Sequence, residues 1–126
     1  MIYQDISYKR PGELEESRYE KIHNVIFNNS NTASLLVAQE IANLIRLKQE
    51  NNEKCIIGLA TGSSPIGVYN ELIKMHNDEK LSFHNVITFN LDEYLPMDTK
   101  DIQSYYFFMH EHLFDHIDIF PENIYI

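Results

Sequence analysis

Apolar runs and helical patterns alternate along this chain from Asn24 to Ile126. Asn24-Val25-Ile26-Phe27 reads as a strand, because a β-branched and aromatic run is followed by the turn-rich Asn28-Asn29-Ser30-Asn31. Thr32 then opens a long helical pattern. Leu35, Leu36, Val37, Ala38, Ile41, Ala42, Leu44, Ile45 and Leu47 cover more than one face, which predicts a well-buried helix capped by Asn31 or Thr32. The polar stretch Gln49 to Lys54 ends it. A second apolar run, Cys55–Ala60, passes through Thr61-Gly62-Ser63-Ser64-Pro65 into Ile66, Tyr69, Leu72, Ile73 and His76 at helical spacing. Pro65 suits the first helical position, which puts Ser64 at the cap. After a polar turn at Asn77–Lys80 come a strand at Val86–Leu91, an irregular stretch at Leu95–Ile102, a helix at Gln103–Leu113 and a strand-like run at Asn123–Ile126.

The resulting order is β-α-β-α-β-α-β with short connections, which predicts a parallel sheet with helices on both faces. The apolar runs are continuous, not alternating, as expected for strands covered on both sides. Ligands of such sheets sit beyond the C-terminal ends of the strands, and both chemically suggestive segments of this chain lie there. Residues 1–14, with Pro11-Gly12, read as a polar arm, and Glu15–Lys21 as a short charged helix. The expected organisation is an arm over residues 1–22 and part of a single α/β domain over residues 23–126. The apolar end of the chain suggests the N-terminal portion of a longer protein.

Composition narrows the partners. The 126 residues suffice for one domain or part of one, and 44% apolar with 23% charged residues is ordinary for a globular chain. A net charge of −9 without a basic stripe argues against nucleic acid and against an anionic membrane surface. Cys55 is the single cysteine, so no disulfide forms within the chain, which fits a reducing cytoplasm. The N-terminus MIYQDISYKRPGELEE has no apolar core of a signal peptide, and no run approaches the roughly 20 apolar residues that span a bilayer.

Three segments carry candidate chemistry. Thr61, Gly62, Ser63 and Ser64 offer small residues, hydroxyls and backbone N–H groups at a helix N-terminus, where an anion is favoured. The loop has neither the Gly-x4-Gly-Lys-Ser/Thr of a nucleotide loop nor Gly-x-Gly-x-x-Gly, so neither ATP nor a dinucleotide is expected. A plain strand-to-helix turn is the alternative. Asp92-Glu93 ends the next strand; adjacent carboxylates on extended chain point apart, so one of them faces a given pocket and is a candidate general base. The alternative is a solvated pair. His112 and His116 share the i, i+4 spacing of metal ligands, but His-Glu-x-x-His is absent, and a helix end favoured by its dipole is the plainer reading. No metal is expected.

Taken together, LATGSSPIGVYNEL, LSFHNVITFNLDEY and QSYYFFMHEHLFDHIDIFPENI resemble the first half of glucosamine-6-phosphate deaminases, from about Val25 to Ile126. The resemblance implies a Rossmann-like three-layer α/β/α fold of the deaminase, phosphogluconolactonase and ribose-5-phosphate isomerase kind, incomplete in this chain. It implies the reversible conversion of glucosamine 6-phosphate to fructose 6-phosphate and ammonia, without cofactor or metal, by a homo-oligomer. By position, Asp92 matches the base that moves a proton between C2 and C1, and Thr61, Gly62, Ser63 and Ser64 match the loop against the sugar phosphate. Tyr105 matches a tyrosine near the substrate, with Glu93 and Tyr94 as support for the base. The family's ring-opening histidine, with its partner carboxylates and the Arg and Lys of the phosphate site, corresponds to no residue here, so these residues alone are expected not to turn over substrate. The long polar arm resembles the variant in which a deacetylase-like domain follows the deaminase.

The rivals are a 6-phosphogluconolactonase-like hydrolase and a non-catalytic sugar-phosphate-sensing domain. The first typically carries Asp-Glu-Arg where this chain has Asp92-Glu93-Tyr94. The second should lose the base, and no helix-turn-helix precedes the domain.

Overall fold

A computed structural model describes Tyr19, Lys21, Ile22 and residues 24–126. The expected arm and the short helix at Glu15–Lys21 therefore lie outside the described residues, apart from Tyr19 and Lys21. Helix α1 spans Ser30–Glu50, strand β1 Cys55–Leu59, helix α2 Ile66–Glu79, strand β2 Val86–Asn90 and helix α3 Tyr105–His112. Short 3₁₀ turns at Phe114–His116 and Pro121–Asn123 lead into strand β3, Ile124–Tyr125.

The sheet is parallel, as expected, in the order β1-β2-β3. Cys55 pairs with Val86 and Leu59 with Asn90, while Thr88 pairs with Ile124. The expected strand at Asn24–Phe27 is not formed. Ile26 is 95% exposed, and the turn-rich residues after it serve as a helix start instead. The Asn29 side chain accepts from the Thr32 N–H at 2.9 Å, so α1 begins at Ser30, ahead of the expected cap. A run of three apolar residues gains little from β propensity without a sheet edge to pair with, and here the chain turns straight into α1.

Helix α1 is also less enclosed than its apolar content suggests. Ala38, Ala42 and Ile45 are buried, whereas Val37, Leu44 and Leu47 remain exposed. The buried stripe meets Cys55 and Leu59 of β1, Tyr69, Leu72 and Met75 of α2, Val86 of β2 and Met109 of α3 in one core. Each large aliphatic side chain so buried contributes about 1.5–3 kcal/mol. Gly67 lets the two long helices approach: a Cβ there would stand 2.6 Å from Ser34 Oγ. Helix α2 runs past the expected turn to Glu79 and ends on Lys80 in the left-handed conformation, φ 56°.

Burial alternates along β1 and β2 despite their continuous apolar sequence. Cys55, Leu59, Val86 and Thr88 face the helices, while Ile56 and Phe89 point to the opposite, exposed side, where Phe89 stacks on Tyr125 at 4.8 Å. Burial pushes the Cys55 thiol upward in pKa, with Lys48 opposing. Asp118 ties the segment after α3 to the approach of β2. It accepts from the Phe83 N–H at 2.7 Å and from the Ser82 hydroxyl at 3.0 Å. Among the described residues, no helix is long and apolar enough to cross a membrane.

Candidate active site at the strand ends

The C-terminal ends of β1 and β2 are neighbours, because Leu59 and Asn90 are paired. The loop after β1 and the carboxylates after β2 therefore emerge side by side. Tyr69 of α2 holds the first of them: its buried hydroxyl donates to the Ala60 carbonyl and accepts from the Ala60 N–H at 3.2 Å. Immediately afterwards the chain turns at Gly62, φ +98°, a conformation that L side chains rarely adopt. Gly62, Ser63 and Ser64 are exposed. Ser64 is not the cap that the sequence suggests. Pro65 occupies that position, and α2 starts at Ile66 with no side-chain hydrogen bond at its cap. A helix start left uncapped by side chains keeps its first-turn N–H groups available to an anion.

Asp92 lies just beyond β2 and is exposed, whereas Glu93 turns the other way. One Glu93 carboxylate oxygen accepts from the N–H groups of Tyr94 and Tyr105, the other from Tyr106, each at 2.9 Å. Ser104 completes the helix start: its Oγ accepts from the Phe107 N–H at 2.9 Å, and the Phe108 N–H bonds the Ser104 carbonyl at 3.1 Å. With the Ser104 N–H donating to the Asp101 carbonyl at 2.9 Å, the four N–H groups that this helix start cannot satisfy internally, those of Ser104, Tyr105, Tyr106 and Phe107, each have a partner. Desolvation pushes the Glu93 pKa up, but the N–H groups of Tyr105, Tyr106 and Tyr94 outweigh it and leave it below the ordinary value.

Tyr105 is where the three segments meet. Its ring lies 4.7 Å from that of Tyr94. Its hydroxyl is held above the usual pKa, first by a hydrogen bond with Tyr94, then by desolvation, by Coulombic interaction with Tyr94 and by the charge of Asp92; a hydrogen bond with Thr61 acts in the opposite sense. The β1–β2 register sets the Thr61 loop beside Asp92, and the Tyr105 N–H bonds the adjacent Glu93, so the three segments adjoin at the strand ends, an arrangement suited to holding an anionic substrate beside a carboxylate base.

Other side chains stand apart from it. His116 Nε2 meets the Glu111 carbonyl at 2.8 Å, and the His112 ring packs 4.4 Å from Phe108. Among the described residues, no group of three His, Cys, Asp or Glu side chains is placed to hold a metal. A cleft of about 570 Å³ lined by Lys100, Tyr106, His110, Glu111, Asp115 and His116, among others, contains none of Thr61, Asp92 or Tyr105. Sequence reasoning missed two supports, Tyr69 and Ser104. Their signals were an aromatic residue one turn into α2 and a serine directly before the Tyr-Tyr pair. It also missed the Asn90 amide, two residues before Asp92, whose Oδ1 and Nδ2 are buried without a partner among the described residues.

A parallel α/β sheet with a Gly-Ser loop and a carboxylate at adjoining strand ends defines an α/β domain with a candidate anion site beyond its strands. Comparison with known proteins makes this specific. The family model described as glucosamine-6-phosphate isomerases/6-phosphogluconolactonase matches residues 28–126, and the chain belongs to that family. It is 46% identical over 112 residues to glucosamine-6-phosphate deaminase 2 of Giardia intestinalis, covering 89% of this chain and 41% of that protein. It is 45% identical over 103 residues to the Treponema denticola glucosamine-6-phosphate deaminase, covering 81% and 38%. A solved monomeric glucosamine-6-phosphate deaminase superposes with a TM-score of 0.74 at 38% identity, over 79% of this chain and 40% of that one. The chain thus spans about two fifths of the length of these relatives.

Proposed function

We propose that these residues form the proton-transfer and phosphate-holding part of a glucosamine-6-phosphate deaminase. The reaction converts glucosamine 6-phosphate and water to fructose 6-phosphate and ammonia. The observation that supports this reading is the β1–β2 register, which sets the Thr61 loop beside Asp92, with the Tyr105 N–H bonded to the neighbouring Glu93 at 2.9 Å. In this reading Thr61, Gly62, Ser63 and Ser64 hold the phosphate. That remote anchor supplies binding energy that orients the reacting carbons. The Asp92 carboxylate takes the proton from C2 of the open-chain sugar. The released electron pair forms a C1–C2 double bond while the C1=O π pair moves onto O1, which takes a proton from water, giving an enediol-like species that bears the amine. Asp92 returns the proton to C1, and water displaces ammonia from the resulting C2 imine. The Tyr105 hydroxyl lies against the substrate beside the base. A cytoplasmic setting accompanies this reading, supported by the unpaired, buried Cys55.

The test compares the full gene product with its Asp92→Asn variant for ammonia release from glucosamine 6-phosphate. Removing a general base should lower kcat by about 10²–10⁴-fold. Undiminished turnover in the variant would remove Asp92 from the mechanism. The 126 residues assayed by themselves should release no ammonia, because no residue among them matches the family's ring-opening histidine; clear turnover would refute that expectation.

A further inference from the structure

Glu93 does more than cap a helix. Tyr105 and Tyr106 lie 12 and 13 residues after it, so its bonds to their N–H groups at 2.9 Å are tertiary links between the end of β2 and the start of α3. Ser104 already caps α3 locally through the Phe107 N–H. The Glu93 carboxylate also accepts from the following N–H, that of Tyr94, whose ring packs on Tyr105. Its charge is stabilised where it sits, since the positive end of the α3 dipole faces it. The residue directly before it is Asp92.

We propose that Glu93 is a positioning residue: it locks the strand end that carries Asp92 to the helix that carries Tyr105, and so sets the distance between base and substrate-facing hydroxyl. This rests on the deaminase reading for its kinetic consequence, but the lock itself is a property of the chain. Proton transfer tolerates little misplacement, and a shift of about 1 Å at the reacting atoms costs roughly 10²-fold in rate. Glu93→Gln keeps the volume but turns an N–H₂ group toward an N–H donor, opening one arm of the link. Glu93→Asp keeps the charge on a shorter stem.

The variants Glu93→Gln, Glu93→Asp and Ser104→Ala are compared in the full gene product by ammonia release, by unfolding midpoint and by amide exchange at Tyr105 and Tyr106. Glu93→Gln should lower kcat by about 10- to 100-fold while KM stays within about three-fold, since the phosphate loop is untouched. Glu93→Asp should recover part of that loss. Ser104→Ala, which weakens α3 without breaking the link, should leave kcat within a few-fold of wild type when both are folded. The Tyr105 and Tyr106 amides should exchange faster in Glu93→Gln. A kcat loss no greater than that of Ser104→Ala, or one expressed wholly in KM, would overturn the positioning role. If the wild type releases no ammonia, the deaminase reading fails. The lock is then decided by exchange alone: unchanged protection in Glu93→Gln refutes it, faster exchange supports it.

Discussion

The buried Tyr69 hydroxyl grips both backbone polar groups of Ala60, donating to its carbonyl and accepting from its N–H. Ala60 is the last residue before the Thr61 loop, so one α2 side chain sets where that loop leaves the sheet. Tyr69→Phe keeps the ring in the core but leaves two part-buried backbone groups unpaired, a loss of about 1–3 kcal/mol. Urea unfolding should show a lower midpoint with an unchanged slope, and the KM for glucosamine 6-phosphate should rise because the phosphate end of the site loosens.

Gly62 adopts φ +98° in that loop with no heavy atom near its missing Cβ. Gly62→Ala therefore meets backbone strain and no steric clash. The strained backbone costs about 1–3 kcal/mol. If the loop relaxes away from its phosphate-holding shape, KM should rise about tenfold, equivalent to 1.4 kcal/mol of binding. Steady-state kinetics alongside a denaturant curve separate the two effects.

The Glu93 pKa is lower in the folded chain than its ordinary 4.5. A depressed carboxylate stabilises the fold fully above its unfolded value, and that contribution is lost as pH falls through the folded one. Wild type should therefore exceed Glu93→Gln in stability by a constant margin from neutral pH down to about pH 5. The margin should shrink on further acidification, as read by unfolding midpoints measured across the acid range.

Gly67 and Ser34 meet across the α1–α2 contact. Alanine at position 67 gains at most about 1 kcal/mol of helix propensity, but a Cβ 2.6 Å from Ser34 Oγ and 3.1 Å from Ser34 Cβ makes the Ser34 side chain or the helix pair shift. Overpacking typically costs about 1–3 kcal/mol, so Gly67→Ala should be net destabilising. Combined with Ser34→Gly it should show a coupling of at least about 0.5 kcal/mol in a double-mutant cycle.

Periodicity revealed α1, β1, α2, β2 and α3 because each pairs a long enough apolar pattern with a turn or polar boundary. It misjudged Asn24–Phe27, where a β-branched run has no strand partner, since pairing is a tertiary property that a local pattern does not encode. Capping details shifted for a related reason. Asn29, Asn31 and Thr32 are all favoured cap types, and the backbone turn selects Asn29. Thr61, Asp92 and Tyr105 were legible as motifs, but their meeting depends on the β1–β2 register. Glu93 was legible only as a neighbour of the base, because its partners are amides 12 and 13 residues downstream, and backbone donors leave no trace in residue identity.

Cys55 is 1% exposed at the start of β1, and burial raises its thiol above the ordinary range. It is also the single sulfhydryl in the chain. A thiol reagent meets it as a reactive thiolate only after the helices have lifted from β1. These 126 residues thus carry their own internal clock for opening: one modification on the Cys55 peptide, readable by mass, whose rate ranks Tyr69→Phe, Gly67→Ala and the Glu93 variants without an engineered label.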